Sequence, residues 1–270
     1  SLFASLLSAL PFGCRFIMVG DSDQLPAVGA GNVLSDLIGS GLLPVVKLKE
    51  VFRQSLDSLI VTNAHRIVNG EQAIIDKKDS DFFLMERRNA FDTAQTVAEL
   101  YSKRLPAAYG YSPLTDIQVI CPSKKGEAGT NNLNKMLQEL VNPHEKGKNE
   151  ITVGFKVFRE GDKVMQIKNN YNIGWEKGKD SGEGIFNGDI GIIEKIDIKN
   201  ECVIICFDDD RRATYMKDQL IELELAYAVT VHKSQGLTFN KVVIDFSELN
   251  LNTEIFSIPP LQEQRKSLLL

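Results

Sequence analysis

Three short segments carry side chains suited to handling a phosphate, and each stands where an apolar or helical run ends. They are GDSDQLP at 20–26, VFRQ at 51–54 and TVHKSQGLTF at 230–239. In open α/β sheets ligands bind beyond the carboxyl ends of the strands, and the first segment directly follows the apolar run RFIMV. The Gln24 amide can bond a terminal phosphate and register its loss. Arg53 offers a charged planar fork matched to phosphate oxygens. Gly236 lets the backbone approach a ligand closely. Each segment also has a plainer reading: an Asx-turn at Asp21 or Asp23, a surface ion pair at Arg53, a helix end with a glycine stop at HKSQG.

The formal net charge is −5, yet residues 121–179 hold eleven Lys and Arg against seven Asp and Glu, a local +4 that leaves −9 for the rest. A basic face can hold a phosphate backbone whatever the total, although solvated surface charge is the ordinary alternative. No apolar run approaches the roughly 20 residues that span a bilayer, so no membrane role is expected. The opening SLFASLLSALPFG has helical spacing and no basic residue ahead of it, which predicts an amphipathic helix rather than a leader. Cysteines at 14, 121, 202 and 206 show no metal-ligand spacing with one another or with the histidines. Cys202 and Cys206 are expected on one strand, roughly 13 Å apart and beyond disulfide reach, so reduced thiols and a cytoplasmic location are expected.

The chain is long enough for more than one domain. Up to about residue 142, strands alternate with helices. RFIMV reads as a buried strand, NVLSDLIGSG as a short helix, VVKLK as a strand and SLIVTNAHRIVNG as a helix stopped by Gly70. DFFLM, AQTVAELYSKRL, IQVICPS and TNNLNKMLQELV continue as strand, helix, strand and helix. That order predicts a parallel sheet covered on both faces. From about 151 the runs DKVMQIK, GDIGIIEKID and CVIICFDDDRRATY predict a small antiparallel barrel, the last folding back through its Asp-rich turn. The polar, glycine-rich NNYNIGWEKGKDSGEG reads as a mobile excursion from it. A helical period returns in QLIELELAYAVTVHKSQG, followed by the strand KVVIDF, so the barrel is expected to be an insertion in the sheet domain.

Taken in order, VGDSDQLPAVGAGNVLSDLI, LKEVFRQSLDSLIVTNAHRIVNG and LAYAVTVHKSQGLTF resemble motifs III, IV and V of the superfamily-one helicases. Within them the likeness is to the RecD-type, the family of the exodeoxyribonuclease V alpha subunit. It extends through DIQVICPSKKGEAGTNNLN and the barrel to cover most residues from 15 to 246. The resemblance implies ATP with Mg²⁺ as cofactor, single-stranded DNA as partner, 5′-to-3′ translocation, and other subunits of an exonuclease V-like complex as further partners. By that likeness Gln24 senses the γ-phosphate and Arg53 contacts it. Gly20, Asp21, Gln235 and Gly236 lie on the nucleotide side, with the last two linking it to DNA. Ser123, Lys124, Lys125, Thr230, His232, Lys233 and Ser234 would face the strand. It also implies an α/β fold of RecA-like lobes with an SH3-like insert. Residues 1–50 would close the first lobe, 51–150 and 225–270 would form the second, and 151–224 the insert. The loop Phe186 to Asp189 could contact DNA or be a simple turn.

A P-loop needs G-x-x-x-x-G-K-[ST], and no such string occurs. GWEKGKD at 174–180 has three residues between its glycines and Asp where Ser or Thr belongs. The acidic pair of motif II and the arginine of motif VI are absent too. The sequence therefore looks like a segment running from motif III to motif V, expected to be inactive as an ATPase alone. Two rival readings remain: a non-catalytic module whose barrel docks a partner, and a nuclease. The second is disfavoured because no carboxylate cluster with a nearby lysine emerges on one element.

Overall fold

A computed structural model describes residues 2–24, 31–47, 58–75, 81–246 and the backbone of 268–269. Helices α1 (Leu2–Ala9), α2 (Val33–Gly39) and α3 (Leu59–Val68) come first. Asp81 caps α3 from a distance, its Oδ1 accepting the Leu59 amide at 2.8 Å. Then follow β1 (Phe82–Phe83), α4 (Ala90–Glu99), a π-helical turn (Leu100–Arg104) leading into α5 (Leu105–Tyr109), β2 (Ile117–Cys121) and α6 (Thr130–Val141). Pro106 brings no N–H to that helix, which fits the looser winding just ahead of it.

Strands β12 (Ala228–Thr230), β13 (Lys241–Ile244) and β14 (Leu268–Leu269) complete a five-stranded sheet, ordered β1-β14-β13-β2-β12 with every pairing parallel. Side chains alternate along β2: Ile120 packs with Leu59, Ile60 and Ala64 of α3, while Ile117, Val119 and Cys121 pack with Val97, Leu133 and Leu137 on the other face. Both faces are covered, as a parallel sheet requires. Asn134 of α6 clips the edge strand, its side chain donating to the Ala228 carbonyl at 2.9 Å and accepting the Ala228 amide at 2.8 Å.

Between α6 and β12 the chain builds a different unit. It contains β3 (Glu150–Val153), β4 (Lys156–Arg159), β5 (Lys163–Gln166), β6 (Asn170–Lys177), β7 (Asp180–Ile185), β8 (Ile190–Asp197), β9 (Cys202–Phe207), β10 (Arg212–Met216), a 3₁₀ turn (Gln219–Glu222) and β11 (Leu223–Leu225). Strands β3 and β4 form a hairpin, and the other seven form one antiparallel sheet ordered β11-β5-β8-β9-β10-β6-β7. All seven send side chains into a single core, among them Leu223, Val164, Ile193, Ile205, Tyr215, Ile173 and Ile185. One sheet can share one core this way only by curling on itself. The short α7 (Val231–Ser234) follows β12 directly.

Four expectations change. RFIMV is not a strand: Ile17 is 74% and Val19 91% exposed, and no described strand lies beside it to supply the pairing and cover a buried parallel strand needs. Val45 to Lys47 are also outside any strand, and the rest of VVKLK lies outside the described residues. The polar excursion is the ordered hairpin β6–β7, paired in register from Gly174–Glu183 to Lys177–Asp180. Backbone pairing and the anchors Ile173 and Trp175 specify it, with too few apolar residues to announce a strand. Finally, LELAYAVT is two strands rather than a helix, because its halves complete different sheets, β11 beside β5 and β12 beside β2.

The two units meet at Asp162, which is fully buried. Its Oδ2 accepts from Gln138 Nε2 at 2.6 Å and the Arg159 amide at 2.7 Å, and its Oδ1 from Asn142 Nδ2 at 2.6 Å and the Tyr227 hydroxyl at 2.7 Å. Burial pushes its pKa up, and the four donors oppose that. Lys163, beside it, is 5% exposed and donates to the Ile117 carbonyl at 3.4 Å. Burial pulls its pKa down to about 8, with Asp208 and Asp116 holding it up.

Asp162→Ala should cost about 3–5 kcal/mol in urea unfolding, since it strands three buried side-chain donors at once. Lys163→Met should act oppositely at neutral pH. The folded state disfavours the ammonium, so the unfolded chain holds more protons between about pH 8 and the ordinary lysine value, and wild-type stability rises with pH across that window. The variant is expected to be about 2 kcal/mol more stable at pH 7, an advantage that shrinks towards pH 10. Denaturation midpoints of both proteins across that range check this, and a constant difference would refute it.

Candidate nucleic-acid interface

The residues expected on the nucleotide side fall into two separate stretches. In the first, Asp21 Oδ1 accepts the Asp23 amide at 3.0 Å and Asp21 Oδ2 accepts from Gln24 Nε2 at 3.4 Å, so the turn closes on itself. Gln24 is half-buried and Asp21 exposed. Gly20 packs closely, since a Cβ there would lie 2.9 Å from Leu34 Cδ2. In the second stretch, half-buried Gln235 closes α7 and Gly236 follows at φ +76°, a conformation that favours glycine. Arg53 lies outside the described residues, and with it the expected meeting of Gln24, Arg53 and Gly236.

The residues expected to face a strand divide by exposure. Lys124 and Lys125 are exposed in the loop after β2, and the Ser123 hydroxyl donates to the Lys125 carbonyl at 2.7 Å. The backbone of that loop is pinned to the start of α6, where Thr130 N donates to Ser123 O and Asn131 N to Lys124 O, each at 3.1 Å. Gly129 permits this closeness: a Cβ there would sit 2.1 Å from the Lys125 carbonyl oxygen. On the other side, His232 is exposed and Lys233 half-exposed. Thr230 is 9% exposed, and Ser234 is fully buried with its hydroxyl donating to the Val231 carbonyl at 2.8 Å. Ser234 therefore turns inward, because it lies two residues, roughly half a turn, from the exposed His232 and shares the face of buried Val231.

Lys233 also joins the two units. Its ammonium donates to Asn187 Oδ1 and to the Ile167 carbonyl, both in the antiparallel unit. Asn187 belongs to the loop Phe186 to Asp189, a turn closed by the Phe186 amide on Asp189 Oδ2 at 2.9 Å and braced by Arg211 on the same oxygen at 2.8 Å. Phe186 is 41% and Tyr171 65% exposed, their rings edge to face at 5.6 Å.

Between α6, the carboxyl end of β12 and the β3–β4 hairpin lies a groove of about 480 Å³. Lys124, Lys135, Lys156 and Lys233 line it, with Glu224 among them and Phe155 fully exposed on the hairpin tip. The Lys124 ammonium bridges to Glu224 at 3.1 and 3.2 Å. Lys156 donates to the Leu223 carbonyl at 2.7 Å. Burial lowers the pKa of Lys156 and of Lys233; in both, Glu224 opposes that and Lys124 adds to it. Arg159 also touches the groove, but its guanidinium is 9% exposed and occupied by Glu139, Glu150 and the Asn142 carbonyl. Lys135, Lys156, Phe155 and Glu224 were not singled out in the sequence. The excess of positive charge over 121–179 was the available signal for both lysines, and nothing local marks the other two.

Among the described residues no group of three or more His, Cys, Asp or Glu could hold a metal ion, and no helix is long and apolar enough to cross a membrane.

Comparison with known proteins fits this geometry. A family described as the ATP-dependent RecD-like DNA helicase SH3 domain matches residues 133–207, which run from within α6 to the end of β9, and an AAA domain family matches residues 1–88. The solved Pif1 helicase from Bacteroides, in complex with ADP-AlF3 and ssDNA, is similar with a TM-score of 0.51 and 18% identity, covering 93% of this chain and 60% of that one. Pif1 from Candida albicans gives 0.51 and 17%, covering 93% and 63%. The fold is thus α/β and RecA-like, with an SH3-like insert. The chain is 35% identical over 245 residues to the ATP-dependent RecD2 DNA helicase of Deinococcus radiodurans, covering 90% of this chain and 30% of that protein. It is 24% identical to the RecBCD enzyme subunit RecD of Mycolicibacterium smegmatis, covering 90% and 42%. The chain is thus similar to RecD-type helicases over 90% of its own length and spans less than half the length of these relatives.

Proposed function

We propose that the chain is the motif III to motif V portion of an ATP-dependent, 5′-to-3′ DNA helicase of RecD type, and that a single strand of DNA runs along the lysine-lined groove. In this reading residues 1–50 close the first motor lobe, 51–150 and 225–270 form the second, and 151–224 insert between its parts. ATP with Mg²⁺ would bind between lobes in the whole protein. Gly20, Asp21, Gln24 and Arg53 would meet the γ-phosphate from one side, while Gln235 and Gly236 link it to Lys233.

The observation that carries the proposal is the groove itself. Four lysines from four elements line a channel beyond the carboxyl end of a parallel strand, where α/β folds bind ligands. Lysine is a point charge without planar geometry, suited to a phosphate backbone read for charge and not for sequence. Phe155 at the rim offers a ring on which a base can stack. The link from Lys233 to Asn187 lets the insert follow movement of α7. Closure of the lobes on ATP would then change the grip on the strand, as a two-state element biased by a ligand does.

Fluorescence anisotropy with labelled oligo(dT) tests the groove. Binding is expected to be sequence-indifferent and to weaken about 20-fold between roughly 50 and 200 mM salt, as about three phosphate contacts to a single strand would give. Lys124→Ala combined with Lys233→Ala should abolish most of it. Affinity indifferent to salt and to both substitutions would rule the groove out and favour a protein-docking role for the insert. The 270-residue chain is also expected to release no phosphate from ATP above background, since it contains no P-loop string. Substantial turnover in a phosphate-release assay would overturn that assignment of parts.

A further inference from the structure

Lys124, Lys156 and Lys233 come from three separate elements, the loop after β2, the start of β4 and α7, and share one carboxylate neighbour. Glu224 bridges to Lys124 directly. Its charge also acts on Lys156 and Lys233, which Lys124 repels. Strand β11 fixes Glu224, paired antiparallel with Met165 of β5, so the carboxylate is presented into the groove by a rigid backbone. The pair itself is exposed, Lys124 at 49% and Glu224 at 36% of the side chain, and such pairs add little to stability. A carboxylate that contributes little to the fold and sits among three lysines in a strand-binding groove invites a different role.

The geometry points to a phosphodiester subsite made by Lys124, Lys156 and Lys233, in which Glu224 occupies the phosphate position when no nucleic acid is bound and yields it when a strand enters. This rests on the groove carrying a single strand, as proposed above. The physical argument concerns release as much as binding. Lys156 and Lys233 are partly desolvated and Lys124 repels each of them, so a phosphate leaving the three would be held back by the cost of exposing that repulsion. Glu224 returning to the lysines offsets this cost. The subsite can then hand each phosphate on with a smaller barrier, at the expense of affinity.

Glu224→Gln keeps size and hydrogen-bonding capacity and removes the competitor. The whole chain, checked for an unchanged melting midpoint, is titrated into oligo(dT) of about 15 nucleotides across a salt series. Expected is about five-fold tighter binding at low salt, the scale of one exposed ion pair. The plot of log affinity against log salt should steepen by about 0.7, because lysines no longer neutralised internally hold one more anion to release. Glu224→Asp, which keeps the charge, should retain the wild-type slope. If Glu224→Gln leaves affinity and slope unchanged, weakens binding, or acts no differently from Glu224→Asp, while Lys124→Ala with Lys233→Ala still abolishes binding, the placeholder role is wrong and the groove stands. If the double lysine substitution has no effect either, the groove assignment has failed and this inference falls with it. Should Glu224→Gln shift the melting midpoint, Glu224→Ser is compared in its place against the same criteria.

Discussion

Burying a charged group without a donor for each lone pair is among the costliest things a fold can do, and Asp162 avoids that only when four donors reach it together. Gln138 and Asn142 come from or just beyond α6, the Arg159 amide from the end of β4, and Tyr227 from the link that returns to the sheet. Three stretches distant in sequence are thereby forced into one arrangement. Neither unit could rotate against the other without breaking a short hydrogen bond in a region where water cannot replace it. Arg159 reinforces the same seam by reaching Glu139 and the Asn142 carbonyl. Gln118 does so from within β2, its amide donating to the carbonyls of Ala226 and Tyr227 at 3.1 Å.

That seam sets the width of the groove. Lys124 and Lys135 stand on the parallel-sheet side and Lys156 and Phe155 on the antiparallel side, so their spacing depends on how the two units are joined. The seam also has a long lever to the loop at Phe186 to Asp189, since Lys233 touches that loop from the helical turn directly behind β12. A sheet-side motif and an insert-side turn thus report on one another through a single ammonium group. The bracing of Asp189 by Arg211 keeps the far end of that contact firm.

Much of this was legible in the sequence wherever local pattern and tertiary demand agree. Helix α6 has the bounds that TNNLNKMLQELV implies, Gly70 follows the end of α3, and the Asp-rich turn joins β9 to β10. The pattern failed where a partner decides the outcome. LELAYAVT carries apolar residues at helical spacing, yet each half lies beside an unfilled sheet edge, and pairing with β5 and β2 outweighs helical preference. The hairpin β6–β7 has little apolar content, so only its backbone register reveals it. Of the site, Lys124 and Lys233 were readable because they sit in recognisable strings. Asp162, Lys156 and Glu224 were not, because their roles arise from contacts spanning up to 100 residues, as between Lys124 and Glu224. Motif position alone did not say that Ser234 points inward, since only one or two residues separate it from the outward-facing Lys233 and His232.

The molecule therefore uses charge in two opposite ways. At Asp162 and Arg159 the charged groups are buried, fully partnered and geometrically demanding, which makes them expensive to disturb and suited to fixing a register. Along the groove they are lysines, partly exposed and flexible, and the arginine closest to it is already committed to Glu139 and Glu150. An arginine fork would select one phosphate geometry and hold it, whereas a lysine tolerates a continuum of positions. On the proposed reading, a motor moving along a uniform polyanion would gain nothing from a contact that prefers one position over the next. Rigid pairing in the seam and loose pairing in the groove are thus complementary: the first holds the lysines in place along the groove, and the second would let a strand bound as proposed slide along them.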